Sequence, residues 1–196
     1  LAYKFAAKLQ FKPQIPEINE VQSMFDEEYI KKRIRNVPDY PKKGIIFRDI
    51  TTILKDKHAF NMCMDEMSAR INGLDADYIV GIEARGFITG SVLAHKLGKG
   101  FIPIRKKGKL PAAVITKEYE KEYGKDKIEM HKDAIKKGDI IIITDDLLAT
   151  GETAKAAAEL IKSMGGNVIA FAFMVELSEL KGREKLKEKV ISLVKY

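Results

Sequence analysis

Residues 140–144 read Ile-Ile-Ile-Ile-Thr, and no stretch restricts what this chain can fold into more than this one. Side chains along a strand point alternately to opposite faces, so consecutive isoleucines place apolar groups on both. Such a strand needs cover above and below, the pattern of a central strand in a parallel sheet. Two acids, Asp145 and Asp146, follow at its carboxyl end. A small-residue loop, Ala149-Thr150-Gly151-Glu152-Thr153, leads into strong helix formers from Ala154 to Met164.

Further apolar runs at Tyr78–Ile82, Phe101–Ile104, Val168–Val175 and Val190–Val194 read as companion strands. Helical patterns fill the connections except the long one after Ile104. Right-handed crossovers then predict an α/β fold, a five-stranded parallel sheet flanked by helices on both faces. Ligands in such sheets bind beyond the strand carboxyl ends, at the switch point. The loop Glu83-Ala84-Arg85-Gly86 is therefore expected beside Asp145 and Asp146, within about one substrate length (~15 Å). Upstream, Asp56 opens a helix with Phe60, Met64, Met67 and Ile71 on one face, closed by Asn72-Gly73. Its methionines read as core filler. Ser23 with Asp26 reads as a capping signal for a helix to about Arg35, with Ile30 and Ile34 buried.

The loop at 149–153 has the makings of an anion site. Free N–H groups and the positive end of a helix dipole converge there, and Thr150 and Thr153 add hydroxyl donors. Adjacent carboxylates repel a bare phosphate, but they suit a sugar phosphate whose hydroxyls donate to Asp145 and Asp146. Taken alone, the same residues also suit an ordinary strand–turn–helix with two solvated aspartates.

At 196 residues the chain fits one domain, with residues 1–22 set apart as an N-terminal arm or extension. That arm has an amphipathic start, ended by Pro13 and Pro16, and is given no catalytic role. No apolar run approaches the ~18 residues of a membrane span, and no secretory pattern is present. Cys63 is alone, which excludes an internal disulfide and makes a reducing cytoplasm the expectation. A net charge of +7 is concentrated near residues 31–35 and 105–109. These clusters suit nucleic acid or a polyanionic small substrate equally, but no RNA-reading motif or interleaved aromatic pattern accompanies them, so the small substrate is favoured.

Four separate stretches resemble, in order, the motifs of the type I phosphoribosyltransferases, over residues ~24 to 196. The Asp-Asp-Leu-Leu-Ala-Thr-Gly run at 145–151 resembles the signature for phosphoribosyl diphosphate (PRPP), in the form found in the adenine-using branch. Gly44-Ile45-Ile46-Phe47-Arg48-Asp49-Ile50 resembles that branch's hood over the base. Glu83-Ala84-Arg85-Gly86-Phe87 resembles its pyrophosphate loop. Arg105-Lys-Lys-Gly-Lys109-Leu-Pro, with Glu122-Tyr123-Gly-Lys, resembles its mobile catalytic loop. One position departs: the family usually has Gly where this chain has Glu152, whose carboxylate is expected to turn out of the loop. A positive φ at that position would add a steric cost. The tail from Val175 to Leu186 also resembles the family and reads as scaffold.

The resemblance implies a phosphoribosyltransferase domain over 23–196, with a small hood at about 36–50 and a long flexible lid loop at about 105–131. It implies transfer of 5-phosphoribosyl from PRPP to adenine, giving AMP and pyrophosphate. Asp145, Asp146, Ala149, Thr150, Gly151, Glu152 and Thr153 would then hold ribose and phosphate. Arg85 and Lys109 would hold pyrophosphate, and Ile46, Phe47, Arg48 and Leu147 the adenine. Glu122 would exchange the proton of the base, while Tyr123 would seat the lid. Mg²⁺ would be held mainly through PRPP oxygens rather than by direct protein ligands. A homodimer in the cytoplasm, with no nucleic-acid or membrane partner, completes the expectation. Another purine base, or a non-catalytic PRPP-sensing regulator that binds nucleic acid, are the alternatives.

Overall fold

The structure, a computed structural model, describes residues 25–121 and 124–196. The N-terminal arm, Ser23, Glu122 and Tyr123 lie outside the described residues. The first helix, α1 (Glu27–Arg33), has Asp26 itself as N-cap, its carboxylate accepting from the Tyr29 amide. The sequence reading had placed Asp26 three residues into the helix and run the helix to Arg35. Ile30 and Ile34 are buried as anticipated.

A hood follows. Strands β1 (Arg35–Pro38) and β2 (Ile46–Asp49) pair antiparallel as a two-stranded sheet separate from the main one. A short helix, α2 (Thr51–Leu54), leads to α3 (Lys57–Ile71), which Asp56 caps through the His58 and Ala59 amides. Next come β3 (Tyr78–Ile82), α4 (Arg85–Leu97), β4 (Gly100–Lys106), β5 (Val114–Lys121) and β6 (Gly124–His131). The chain ends with β7 (Ile140–Leu148), α5 (Glu152–Ser163), β8 (Asn167–Glu176) and β9 (Lys189–Lys195).

The main sheet runs β5-β6-β4-β3-β7-β8-β9. Its five parallel strands are those anticipated, but the sheet has seven strands rather than five. The added pair is the hairpin β5–β6, joined through β6 antiparallel to β4, and it occupies much of the connection expected to be a long flexible loop. Strand alternation explains it: Tyr119, Ile128 and Met130 turn inward while Glu118 and Glu120 stay at the surface, so mean polarity hides the period. A second correction concerns the β8–β9 connection, which holds two 3-10 turns, Ser178–Leu180 and Gly182–Lys185, and no α-helix. Lys181 between them is left-handed, at φ 52°, which interrupts any helix.

The isoleucine strand is central, as its composition demanded. Ile142 faces the layer of α3 and α4, whereas Ile141 and Ile143 face α5 and the hairpin. Each such side chain is worth roughly 1.5–3 kcal/mol of burial. From β3 the chain passes through α4 to β4 on one side, while β7, β8 and β9 extend the other way. The switch point therefore falls between β3 and β7, where the loops at Glu83–Arg85 and Ala149–Gly151 emerge side by side.

Candidate active site

At the carboxyl end of β7, Asp145 accepts from the Asp146 amide at 2.9 Å, and the Asp146 carboxylate accepts from Nε of Arg85. Arg85 begins α4, directly after the cis Glu83–Ala84 peptide. The contact meets the expectation that these two loops adjoin. Gly86 makes the approach possible: a Cβ there would sit 2.8 Å from the Thr144 carbonyl oxygen and 2.9 Å from Asp145 Oδ1. Asp146 is buried and Asp145 half-buried. Desolvation, reinforced by the neighbouring Asp146 charge, pushes the Asp145 carboxyl well above the ordinary carboxylate range.

Across the cleft, Lys109 Nζ donates to Glu83 Oε1 at 2.6 Å. The Lys106 amide donates to Glu83 Oε2 at 2.9 Å, and Arg105 Nε lies 3.4 Å from the same oxygen. Burial pushes the Glu83 carboxyl up, but these donors, led by Lys109, outweigh it and hold the group at about 2. Glu83 belonged to a recognised motif yet had been given no role. Its importance comes from three donors on a different strand and loop, which no local pattern exposes.

Two clefts meet here. A polar one of about 460 Å³ is lined by Arg85, Lys109, Asp145, Asp146, Leu147 and Thr153, with Glu83 and Tyr119 on its wall. A largely apolar one of about 350 Å³ is lined by Ile46, Phe47, Arg48, Leu147, Ala149, Thr150, Glu152 and Thr153. Leu147 and Thr153 line both, so a ligand crossing that boundary meets a cationic, acid-bearing chamber at one end and a greasy one at the other. Leu177 and Leu180 close the second cleft opposite the hood. Sequence reasoning had missed them, having treated the tail as scaffold.

The hood residues differ in exposure. Phe47 packs edge-to-face on Tyr40, centroids 5.3 Å apart, and the Arg85 guanidinium carbon lies 5.3 Å from its ring centre. Arg48 stacks on Tyr196 at 3.8 Å and donates to Asn36, while Ile46 is half exposed.

The loop itself resolves the question of Glu152. The positive φ, 81°, belongs to Gly151, the N-cap of α5, and Glu152 is the first helical residue, so it carries no left-handed penalty. Its carboxylate pairs with Lys185 at 2.6 Å. Thr153 Oγ1 donates to the Tyr119 hydroxyl at 3.2 Å, joining the hairpin to the loop. Tyr119 had gone unnoticed because the strand that carries it had. Glu122 and Tyr123 fall between β5 and β6, outside the described residues.

Among the described residues, no cluster of three or more His, Cys, Asp or Glu could hold a metal ion. Mg²⁺ commonly binds through one or two carboxylates, several waters and substrate phosphates rather than a protein cage. Asp145 and Asp146, beside cations able to grip a polyphosphate, fit that mode of binding.

Comparisons with known proteins agree on one family. A family model described as "Phosphoribosyl transferase domain" matches residues 51–195. The adenine phosphoribosyltransferase of Halothermothrix orenii is 60% identical over 158 residues, covering 81% of this chain and 93% of that protein. Among solved structures, the adenine phosphoribosyltransferase of Thermoanaerobacter pseudethanolicus superposes with a TM-score of 0.85 at 50% identity, covering 87% of this chain and all of that one. The Saccharomyces cerevisiae adenine phosphoribosyltransferase, complexed with D-2,5-dideoxy-2,5-imino-altritol 1,6-bisphosphate and adenine, gives 0.82 at 40% identity, covering 85% and 97%.

Proposed function

The chain belongs to the phosphoribosyltransferase family, among the adenine phosphoribosyltransferases, and from that premise we propose how it transfers 5-phosphoribosyl from PRPP to adenine, giving AMP and pyrophosphate. The observation that carries the proposed division of labour is the pair of clefts sharing Leu147 and Thr153. Adenine lies in the apolar cleft between Phe47 and Leu147, with the backbone of Ile46 and Arg48 reading its edge. The 5-phosphate lies on the amides of Ala149 to Thr153, aided by the hydroxyls of Thr150 and Thr153. Pyrophosphate lies in the polar cleft against Arg85 and Lys109.

Each role follows from the chemistry of the groups. Departure of pyrophosphate builds positive charge on the ribose, an oxocarbenium-like state. Asp145 and Asp146 accept from the ribose hydroxyls, each charge-assisted bond being worth ~1.5–3 kcal/mol. Their field also favours the developing cation. Arg85 offers a planar fork suited to phosphate oxygens, and Lys109 a mobile point charge. Before they can serve the ligand both must leave resident partners, Asp146 and Glu83. Glu122 exchanges the proton on the imidazole side of the base, with Tyr123 beside it, between β5 and β6, helping to close the site. Mg²⁺, held mainly through PRPP oxygens and water, would neutralise charge on the leaving group.

A homodimer in the cytoplasm completes the proposal. Support for that compartment comes from Cys63 being the single cysteine of the sequence, so no disulfide closes within it. No described helix is long and apolar enough to cross a membrane. The basic clusters are extensively paired within the chain, Lys31 with Glu27, Arg33 with Asp56, Arg35 with Asp49 and Lys109 with Glu83, which speaks for a small substrate over nucleic acid.

Pyrophosphate release, measured with each free nucleobase in turn under saturating PRPP and Mg²⁺, tests the reading. Adenine should be preferred over hypoxanthine by at least about 100-fold, since a keto oxygen would face a buried backbone acceptor. An oxopurine preference would overturn the assignment of the hood.

A further inference from the structure

At Gly182 the turns between β8 and β9 touch the phosphate loop backbone to backbone. A Cβ on Gly182 would lie 2.1 Å from the Ala149 carbonyl oxygen and 2.9 Å from the Gly151 nitrogen. One on Gly151 would lie 2.5 Å from the Gly182 carbonyl oxygen. Neither side has room for a side chain, so the two backbones abut. Helix α5 has no side-chain cap at its N-terminus. Whatever sets the direction of the loop amides must therefore come from outside the helix.

Behind Gly182 stands a network satisfied on every side. Arg183 Nε and Nη2 donate to the two Glu176 oxygens at 2.9 and 2.5 Å, and its Nη1 donates to the Val190 carbonyl at 2.7 Å. Ser192 Oγ donates to Glu176 Oε2 at 2.5 Å. Glu176 is 4% and Ser192 6% exposed. The pair is buried only on its acid side, the Arg183 side chain being 39% exposed, so it counts for less in stability than in fixing one arrangement among several. Here the fork ties the turn to the ends of β8 and β9, and Lys185 ties the same turn to Glu152 on α5.

We infer that Glu176, Arg183 and Ser192 form a positioning device for the phosphate loop, holding the Gly182 backbone against Ala149 and Gly151 so that the loop amides stay aimed at one point. None of the three reaches the cleft, so they act through the loop and are not catalytic residues. The inference rests on the assignment of the 5-phosphate to residues 149–153, and it assigns a segment first read as scaffold to substrate affinity.

Ribose 5-phosphate, which carries the 5-phosphate and diol but no base or pyrophosphate, is the probe, with binding measured by calorimetry on the full chain. Gly182→Ala should weaken it about ten-fold, because a displacement near 1 Å is costly for convergent donors. KM for PRPP should rise in parallel while KM for adenine stays within about two-fold, a split that general loosening of the fold would not produce. Arg183→Lys keeps the charge and loses the fork, and should weaken ribose 5-phosphate by about three-fold. It carries the test alone should Gly182→Ala fail to fold. Unaltered affinity in a folded variant, or equal rises in both KM values, overturns the inference. Failure of the unaltered protein to bind ribose 5-phosphate takes down the phosphate-loop assignment along with it.

Discussion

Asp145 is kept at a cost to the ligand-free protein. Its carboxyl is raised by desolvation and by the Asp146 charge, so folding favours the protonated form. The contribution is fully present below the ordinary carboxylate range and is lost as pH rises through the raised pKa. Asp145→Asn keeps the acceptor for the Asp146 amide and removes the charge. It should stabilise the free protein at pH 7 by about 1 kcal/mol in a denaturant melt while lowering kcat at least about 100-fold. A destabilised variant, or one with ordinary turnover, contradicts the role given to this acid. Glu83 has the opposite sign. Held at about 2, it contributes stability above the unfolded value near 4.5 that disappears as pH falls toward 2. Glu83→Gln should cost about 2 kcal/mol at pH 7 and almost nothing near pH 2, read from melts across that range. A pH-independent deficit would mean that packing, not charge, explains the residue. Asp145 and Asp146 could be found in the sequence because strand, acids and loop are contiguous. The part played by Glu83 could not, because its donors come from residues 105–109 and meet it only in space.

Elements with one strong period were legible, and those built from mixed ones were not. Strand β7 announced itself through four isoleucines, and α3 through Met64, Met67 and Ile71. The hairpin β5–β6 carries charges on its outer face and at its edge, which dilutes an alternation present only at Tyr119, Ile128 and Met130. That hairpin rests on α5 through the Thr153–Tyr119 hydroxyl contact and an exposed Lys117–Glu159 pair at 2.7 Å. The two should differ in weight. Tyr119→Phe removes this part-buried hydrogen bond and the longer one that the same hydroxyl donates to Asp126 at 3.5 Å, together worth about 1 kcal/mol, and should speed amide exchange in 114–131 by roughly five-fold relative to β7. Lys117→Ala removes a solvated ion pair and should change exchange by less than about two-fold. Equal effects would mean that the hairpin is not seated at the phosphate loop.

At the scale of the whole sheet, the parallel strands and the neighbouring of the two loops at a switch point followed from the rhythm of strand and helix, but the strand order and the two edges did not. One edge, β5, is guarded by charge. The other, β9, is guarded by long side chains that satisfy its outward backbone. Arg70 donates to the Ser192 carbonyl at 2.8 Å, Arg183 to that of Val190, and Glu27 accepts from the Lys195 amide at 3.0 Å. Exposed strand edges invite pairing between molecules. Arg70→Ala should cost about 1 kcal/mol and bring forward concentration-dependent light scattering on heating. Scattering that tracks the unaltered protein would show that the remaining guards suffice. The sequence shows arginines and glutamates only as charges, and which carbonyl each one covers depends on chain closure.

The hood is a small sheet bonded through its own two strands, and it meets the sugar-handling face at the shared wall of Leu147 and Thr153 and where Arg85 lies against Phe47. Choice of base and handling of pentose are thereby written in different stretches of chain. Exchanging residues 45–48 for those of a relative that prefers another heterocycle should retarget the molecule while leaving its grip on the sugar diphosphate untouched. Separate modules of this kind let an ancestral transfer site acquire new acceptors one short cassette at a time.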